Sequence, residues 1–125
     1  MLYDAIIMSV VIIASVDDMF FKSKIRAVAE AVGTEISFPR NKDALIQKAR
    51  EAKPNLIIVD LHNEKIDPAT LATELKADYE LHAIPLLGFF SHVETELQKS
   101  ALAAGFDQVI PRSVFARDLS KILSV

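Results

Sequence analysis

The chain has 125 residues, enough for one domain with a real hydrophobic core. Its 51% hydrophobic and 25% charged content is that of a soluble globular protein, and a net charge of -3 argues against nucleic-acid binding by this chain alone. The absence of cysteine excludes disulfide frameworks and thiol chemistry. The apolar run Ala5 to Ser15 is too short to span a bilayer and, with no basic residue before it, makes a poor signal peptide, so a cytoplasmic protein is expected.

From the N-terminus, Ala5 to Ala14 is a β-rich apolar run that gives the first strand, ended by Asp17 and Asp18. Phe21, Ile25, Val28 and Val32 follow at spacings of four, three and four, one face of a helix, and Gly33 suits its stop. Glu35 to Phe38 is a short second strand, closed by Pro39. Asn41 or Asp43 can cap a second helix carrying Leu45, Ile46, Ala49 and Ala52, and Pro54 bars its continuation. Leu56 to Val59 then run straight into Asp60, Leu61 and His62. Both faces of that strand are apolar, the mark of a central strand in a parallel sheet, and Asp60 falls where it leaves the core.

Asp67-Pro68 reads as an N-cap followed by proline at the first helical position, with Leu71 and Leu75 as the buried face. Ile84 to Phe90 is the fourth strand. Ser91-His92-Val93-Glu94 is a capping-box sequence, and Val93, Leu97, Ala101 and Ala104 repeat at helical spacing up to Gly105. Gln108 to Ile110 is the fifth strand, and Pro111-Arg112-Ser113 turns into a last helix bearing Leu119, Ile122 and Leu123. Five β-α alternations predict an α/β fold: a five-stranded parallel sheet between two helical layers, with right-handed crossovers. That is a flavodoxin-like three-layer sandwich, read as one domain over residues 1–125. Val125 follows directly on the last helix, so no output domain is expected.

In such a sheet the carboxyl ends of all strands lie on one rim, where ligands collect. That rim carries Asp17, Asp18, Asp60, His62, Ser91, His92 and Arg112. Carboxylates brought close together repel, and a divalent cation relieves the repulsion; hard oxygen ligands with open water positions suit magnesium. Arg112 adds fixed positive charge for a phosphate. Plainer roles stand beside these. Asp17 or Asp18 can cap the first helix, Asp60 the next turn and Ser91 the fourth helix. Arg112 can form a structural ion pair with Asp60, His62 and His92 can be exposed loop residues, and Val114 and Phe115 can be core.

The pattern resembles the receiver domain of bacterial response regulators, the CheY-like fold, over essentially the whole chain. In that family an acidic pair follows strand one, a phosphorylated Asp ends strand three, a Thr or Ser ends strand four, and a Lys, usually before Pro, ends strand five. Asp60 matches the phosphoacceptor, and Asp67, seven residues on, matches an acidic residue of the following loop. Gly33 and Gly105 match helix-stop glycines, while by count Phe90 takes the place of the Thr or Ser and Arg112 that of the Lys. The resemblance implies Mg2+ held by Asp60, by Asp17 or Asp18, and by the backbone carbonyl of His62. It implies an acyl phosphate on Asp60 within a two-component phosphorelay, with no catalytic residue beyond Asp60. It also implies a sensor histidine kinase or other phosphodonor protein as partner. Readout would pass to a downstream protein, or to a homodimer, through the face of the fourth helix, fifth strand and fifth helix.

The departures are as specific. An ungapped count back from Gly33 puts Asp17 on one acidic position and Val16 on the other; a shift of one residue restores both acids as Asp17 and Asp18. Glu64 stands where the loop usually has Pro, and Pro68 where it usually has Gly. Phe90 has no hydroxyl for the switch, and Ser91 replaces it only if the loop slides by one residue. Arg112 lacks the compact ammonium of Lys, and Pro-Arg replaces Lys-Pro. The leading expectation is an atypical receiver phosphorylated on Asp60. The alternatives are a pseudo-receiver that keeps the fold as an interaction module, and a small metal-dependent hydrolase using Asp60, His62 and His92.

Overall fold

Branched apolar residues without polar interruption build the middle of a parallel sheet, because helices cover both of its faces. The structure, a computed structural model, describes residues 9–125. In chain order the elements are β1 (Val11–Ser15), α1 (Met19–Val32), β2 (Glu35–Ser37), α2 (Lys42–Ala52), β3 (Leu56–Asp60) and α3 (Pro68–Ala77). They continue with β4 (Leu86–Phe90), α4 (Thr95–Ala104), β5 (Gln108–Pro111), α5 (Arg112–Arg117) and α6 (Leu119–Ile122). All five strands pair in parallel in the order β2-β1-β3-β4-β5. Side chains alternate across this sheet. Ile13, Ile57, Val59, Leu86 and Phe90 pack under α2, α3 and α4. Ile12, Ala14, Ile58, Leu87 and Phe89 pack under α1, α5 and α6.

Several boundaries differ from the sequence reading, each for a local reason. Among the described residues the first strand begins at Val11, and Ser9 and Val10 precede it outside any strand; residues 5–8 of the expected run lie outside the described residues. Val11 pairs with Glu35 and Ile12 with Leu56, the first residues of the two neighbouring strands. β4 starts at Leu86, after Pro85, which has no N–H for the ladder. β2 stops at Ser37, leaving Phe38 under the cations of Lys22 and Arg26 at 5.8 and 5.0 Å. The capping box at Ser91 does not form: α4 begins at Thr95, its N-cap is Glu94, and no side chain caps it. Val93, expected on the buried face, is 81% exposed. The single last helix is broken at Asp118 into α5 and α6. Caps foreseen at Asn41 and at the Asp17-Asp18 pair do form, from Asn41 to the Ala44 amide and from Asp18 to the Phe21 amide.

The strand order reverses between β1 and β3, since the chain leaves β1 toward β2 on one side and later returns to β3 on the other. In an open α/β sheet that reversal opens a crevice at the carboxyl ends of the two strands. Asp17 and Asp18 follow β1 and Asp60 ends β3, so topology alone brings the acids to one crevice.

Gly33 closes α1 in the left-handed region at φ 76°, with nothing within 4 Å of where a Cβ would stand. Gly33→Ala is therefore expected to lower stability by about 1–2 kcal/mol through backbone conformation alone. Urea denaturation monitored by circular dichroism checks this, with an unchanged m-value and a lower midpoint as the expected result.

Candidate functional site

Three polar residues are buried among the described ones: Ser15, Thr34 and Asp60. The two hydroxyls are each satisfied, Thr34 by donating to the Leu123 carbonyl at 2.5 Å and Ser15 by accepting from the Asn63 amide at 3.0 Å. Asp60 is the ionisable one, and it is 9% exposed. Its Oδ1 accepts the backbone N–H of His62 at 2.9 Å, a bond made possible by the turn that follows β3. Burial pushes the Asp60 carboxyl above its ordinary value; the His62 amide, the His62 ring and Arg112 pull it back, and the charge of Asp18 pushes it up again.

Asp18 stands across the crevice at the head of α1. Its Oδ1 caps the helix at 2.9 Å from the Phe21 amide, and its Oδ2 lies 3.6 Å from the Arg112 guanidinium. The Phe21 amide, with Arg112 also contributing, holds the Asp18 carboxyl below the usual carboxylate range. Arg112 opens α5, and its guanidinium lies 4.0 Å from the centre of the Phe21 ring. Phe21 in turn meets Phe89 and Phe115 edge-on at 5.5 and 5.7 Å, and Phe89 and Phe115 stack at 4.6 Å. This aromatic group fixes where Arg112 can lie. Its partner is Asp18, not the Asp60 named in the structural alternative; the influence of Arg112 on Asp60 is through space.

The other rim residues divide. Asp17 turns to Lys65, whose Nζ is 3.0 Å from its Oδ1. His62 is not an exposed loop residue: its side chain is 22% exposed and its Nδ1 is 4.0 Å from Glu94. The His92 ring packs edge-on against it at 5.3 Å. Among the described residues no group of three or more His, Asp or Glu side chains is placed to hold a metal ion, so Asp60, His62 and His92 do not form the metal centre that a hydrolase would need. Phe90 is 8% exposed and belongs to the core under α2, α3 and α4, the face opposite to the one Asp60 continues. Ser91 is exposed and not hydrogen-bonded to Asp60. Asp67 stands at the N-cap of α3 without capping its backbone; its carboxylate takes the Thr70 hydroxyl instead.

No family model matches the chain. Over 75 residues it is 37% identical to the response regulator protein VraR of Staphylococcus aureus. That stretch is 60% of this chain and 35% of the relative, so the chain spans about a third of the length of the curated relatives it matches. Among solved structures it is similar to the chemotaxis response regulator CheY4 of Vibrio cholerae, at TM-score 0.79 and 16% identity over 93% of this chain and 97% of that one. It is similar to the phosphorylated cyanobacterial phytochrome response regulator RcpA, at TM-score 0.72 and 22% identity over 94% and 90%. The Mn2+-bound form of response regulator Rcp1 matches at TM-score 0.71 and 20% identity over 91% and 88%. The fold is that of a response-regulator receiver domain.

On this receiver fold three residues near the acids escaped the sequence reading. Lys65 and Asn63 sit in the loop after β3; Asn63 makes a local turn there, its Oδ1 accepting the Lys65 N–H at 3.0 Å, but no local pattern shows that Lys65 reaches Asp17 or that Asn63 reaches Ser15. Phe21, which its helical spacing places only in the core, also forms the floor under Arg112. A basic cleft of about 400 Å³, lined in part by Lys22, Arg40 and Lys65, opens beside Asp17.

The raised ionisation of Asp60 carries a sign for stability. The folded state binds this proton more tightly than the unfolded chain does. The stability it contributes is thus complete below the unfolded value of 3.8 and is lost as pH rises through the folded one. Asp60→Asn, which keeps an acceptor for the His62 amide, is expected to raise the urea midpoint at pH 7. The gain should vanish as pH falls below 3.8, which a series of melts of both proteins across pH checks.

Proposed function

We propose that this chain is a receiver module of two-component phosphorelay signalling that accepts a phosphoryl group on Asp60. The observation that carries the reading is Asp60 itself: an ionisable side chain buried at the carboxyl end of the central strand, in the crevice where the strand order reverses. Keeping a carboxylate there costs desolvation free energy that a neutral residue would not incur. The similarity to a phosphorylated response regulator and to a metal-bound one is consistent with it.

The chemistry asked of the site is modest. An Asp60 carboxylate oxygen attacks phosphorus in line; the bond from phosphorus to the donor atom breaks, a P–N bond for a phosphohistidine donor or a P–O bond for an acyl phosphate, and the donor atom leaves with that electron pair. The product is an acyl phosphate on Asp60. Such transfers need positioning and electrostatics more than covalent assistance. The His62 N–H fixes one carboxylate oxygen at 2.9 Å, Arg112 supplies nearby positive charge, and the basic cleft suits the approach of an anionic donor.

Asp18 and Asp60 give hard oxygen donors whose charges oppose each other, a chemistry that suits magnesium with water in its remaining positions. The backbone carbonyl of His62 is a further candidate donor, and Asp17 is tied to Lys65. When bound, the ion would offset the negative charge of the incoming phosphoryl group. The donor would be a sensor histidine kinase, another phosphodonor protein or a small acyl phosphate, in the cytoplasm. Readout would pass through the face formed by α4, β5 and α5 to a downstream protein or a second copy. The protein itself is not an enzyme in this reading, beyond accepting the group.

A second reading, an interaction module without phosphoryl chemistry, is favoured by the buried Phe90 ring where a switch hydroxyl would stand and by the engagement of Arg112 with Asp18. Intact mass spectrometry after incubation with acetyl phosphate and magnesium separates the two. The proposal expects a gain of one phosphoryl group, absent in Asp60→Asn. No adduct at saturating donor would leave the interaction module as the function.

A further inference from the structure

Both carboxylates that follow β1 already hold a cation supplied by this chain. Lys65, from the loop after β3, stands 3.0 Å from Asp17. Arg112, from the start of α5, stands 3.6 Å from Asp18. The two pairs differ in kind. The Lys65–Asp17 side chains are 59% and 53% exposed, the regime in which an ion pair contributes little. The Arg112–Asp18 side chains are 36% and 43% exposed, and the guanidinium rests on the Phe21 ring at 4.0 Å. A planar, weakly hydrated cation already laid on an aromatic face loses little freedom by pairing. The Phe21–Phe89–Phe115 group beneath it is packed in the core, so the platform does not move away.

We propose that Arg112, with Lys65 in a lesser part, is a built-in counter-ion that keeps the acidic crevice closed to divalent cations, so that a metal ion binds only after the guanidinium leaves Asp18. This rests on the reading of Asp18 and Asp60 as the carboxylates that would hold the metal. Two consequences follow from charge alone. The wild-type protein binds divalent cations weakly, because an ion entering between Asp18 and Asp60 meets a resident positive charge. An anionic group on Asp60 that draws the guanidinium to itself releases Asp18, so anion and metal favour each other's binding by the same factor.

The test is Mn2+ binding to the full chain without any phosphodonor, followed by the electron paramagnetic resonance signal of the free ion. Arg112→Gln is expected to bind about tenfold more tightly than wild type, the size of the repulsion between a divalent ion and a unit charge about 6 Å away in a water-like dielectric. Lys65→Gln should give a smaller gain. Arg112→Lys, which keeps the charge but cannot lie flat on Phe21, should fall between wild type and Arg112→Gln. Adding Asp60→Asn to Arg112→Gln should erase the gain. Equal or weaker binding in Arg112→Gln, with unchanged circular dichroism, overturns the proposal. So does the absence of Mn2+ binding in every variant. The phosphoryl reading is judged separately, by the mass adduct, and can survive either result.

Discussion

An ionised Asp60 has to be stabilised where little water reaches it, and the surroundings of the β3 terminus are arranged around that demand. The backbone of the same turn donates one hydrogen bond, from His62 at 2.9 Å. Positive charge comes from Arg112, at the far end of the sequence, and negative charge from Asp18 works against it. These opposing influences leave the carboxyl above its ordinary value, since burial outweighs the rest.

What brings these groups together is packing rather than attraction between them. Asp18 and Arg112 belong to α1 and α5, both held on one face of the sheet by the core that includes Ile58, Phe89, Phe115 and Leu119. The Phe21 ring fills the space between the two helices and supports the guanidinium from below. The acids after β1 therefore meet a fixed cation, while Lys65 reaches Asp17 from a loop with more freedom. The opposite face, with Phe90 in its core, takes no part in this arrangement. On a receiver fold that leaves the crevice with its acids and its cation but without a hydroxyl at the end of β4.

The sequence was informative where one residue type has one physical consequence. Uninterrupted Leu56–Val59 placed the central strand, Gly33 and Gly105 placed two helix ends, and the β-α alternation gave the sheet its parallel sense and its rim of acids. It was less informative where alternatives of similar energy compete. Ser91-His92-Val93-Glu94 fits a capping box in every residue type, yet the helix begins later and Val93 points to solvent. The choice between Asp17 and Asp18 as cap could not be read from two identical neighbours; the structure assigns it to Asp18. Ion pairs were the hardest to foresee, because partners 94 residues apart such as Asp18 and Arg112 meet only through tertiary packing.

The ionisation of Asp60 can be followed directly. With the carboxyl carbons of aspartate labelled, nuclear magnetic resonance in metal-free buffer follows each Asp through a pH titration, and Asp60→Asn assigns the signal. Asp60 is expected to titrate above the ordinary value of 3.8, and higher still when Arg112→Gln removes the nearby cation. A midpoint at or below 3.8, or one indifferent to Arg112, would contradict that expectation.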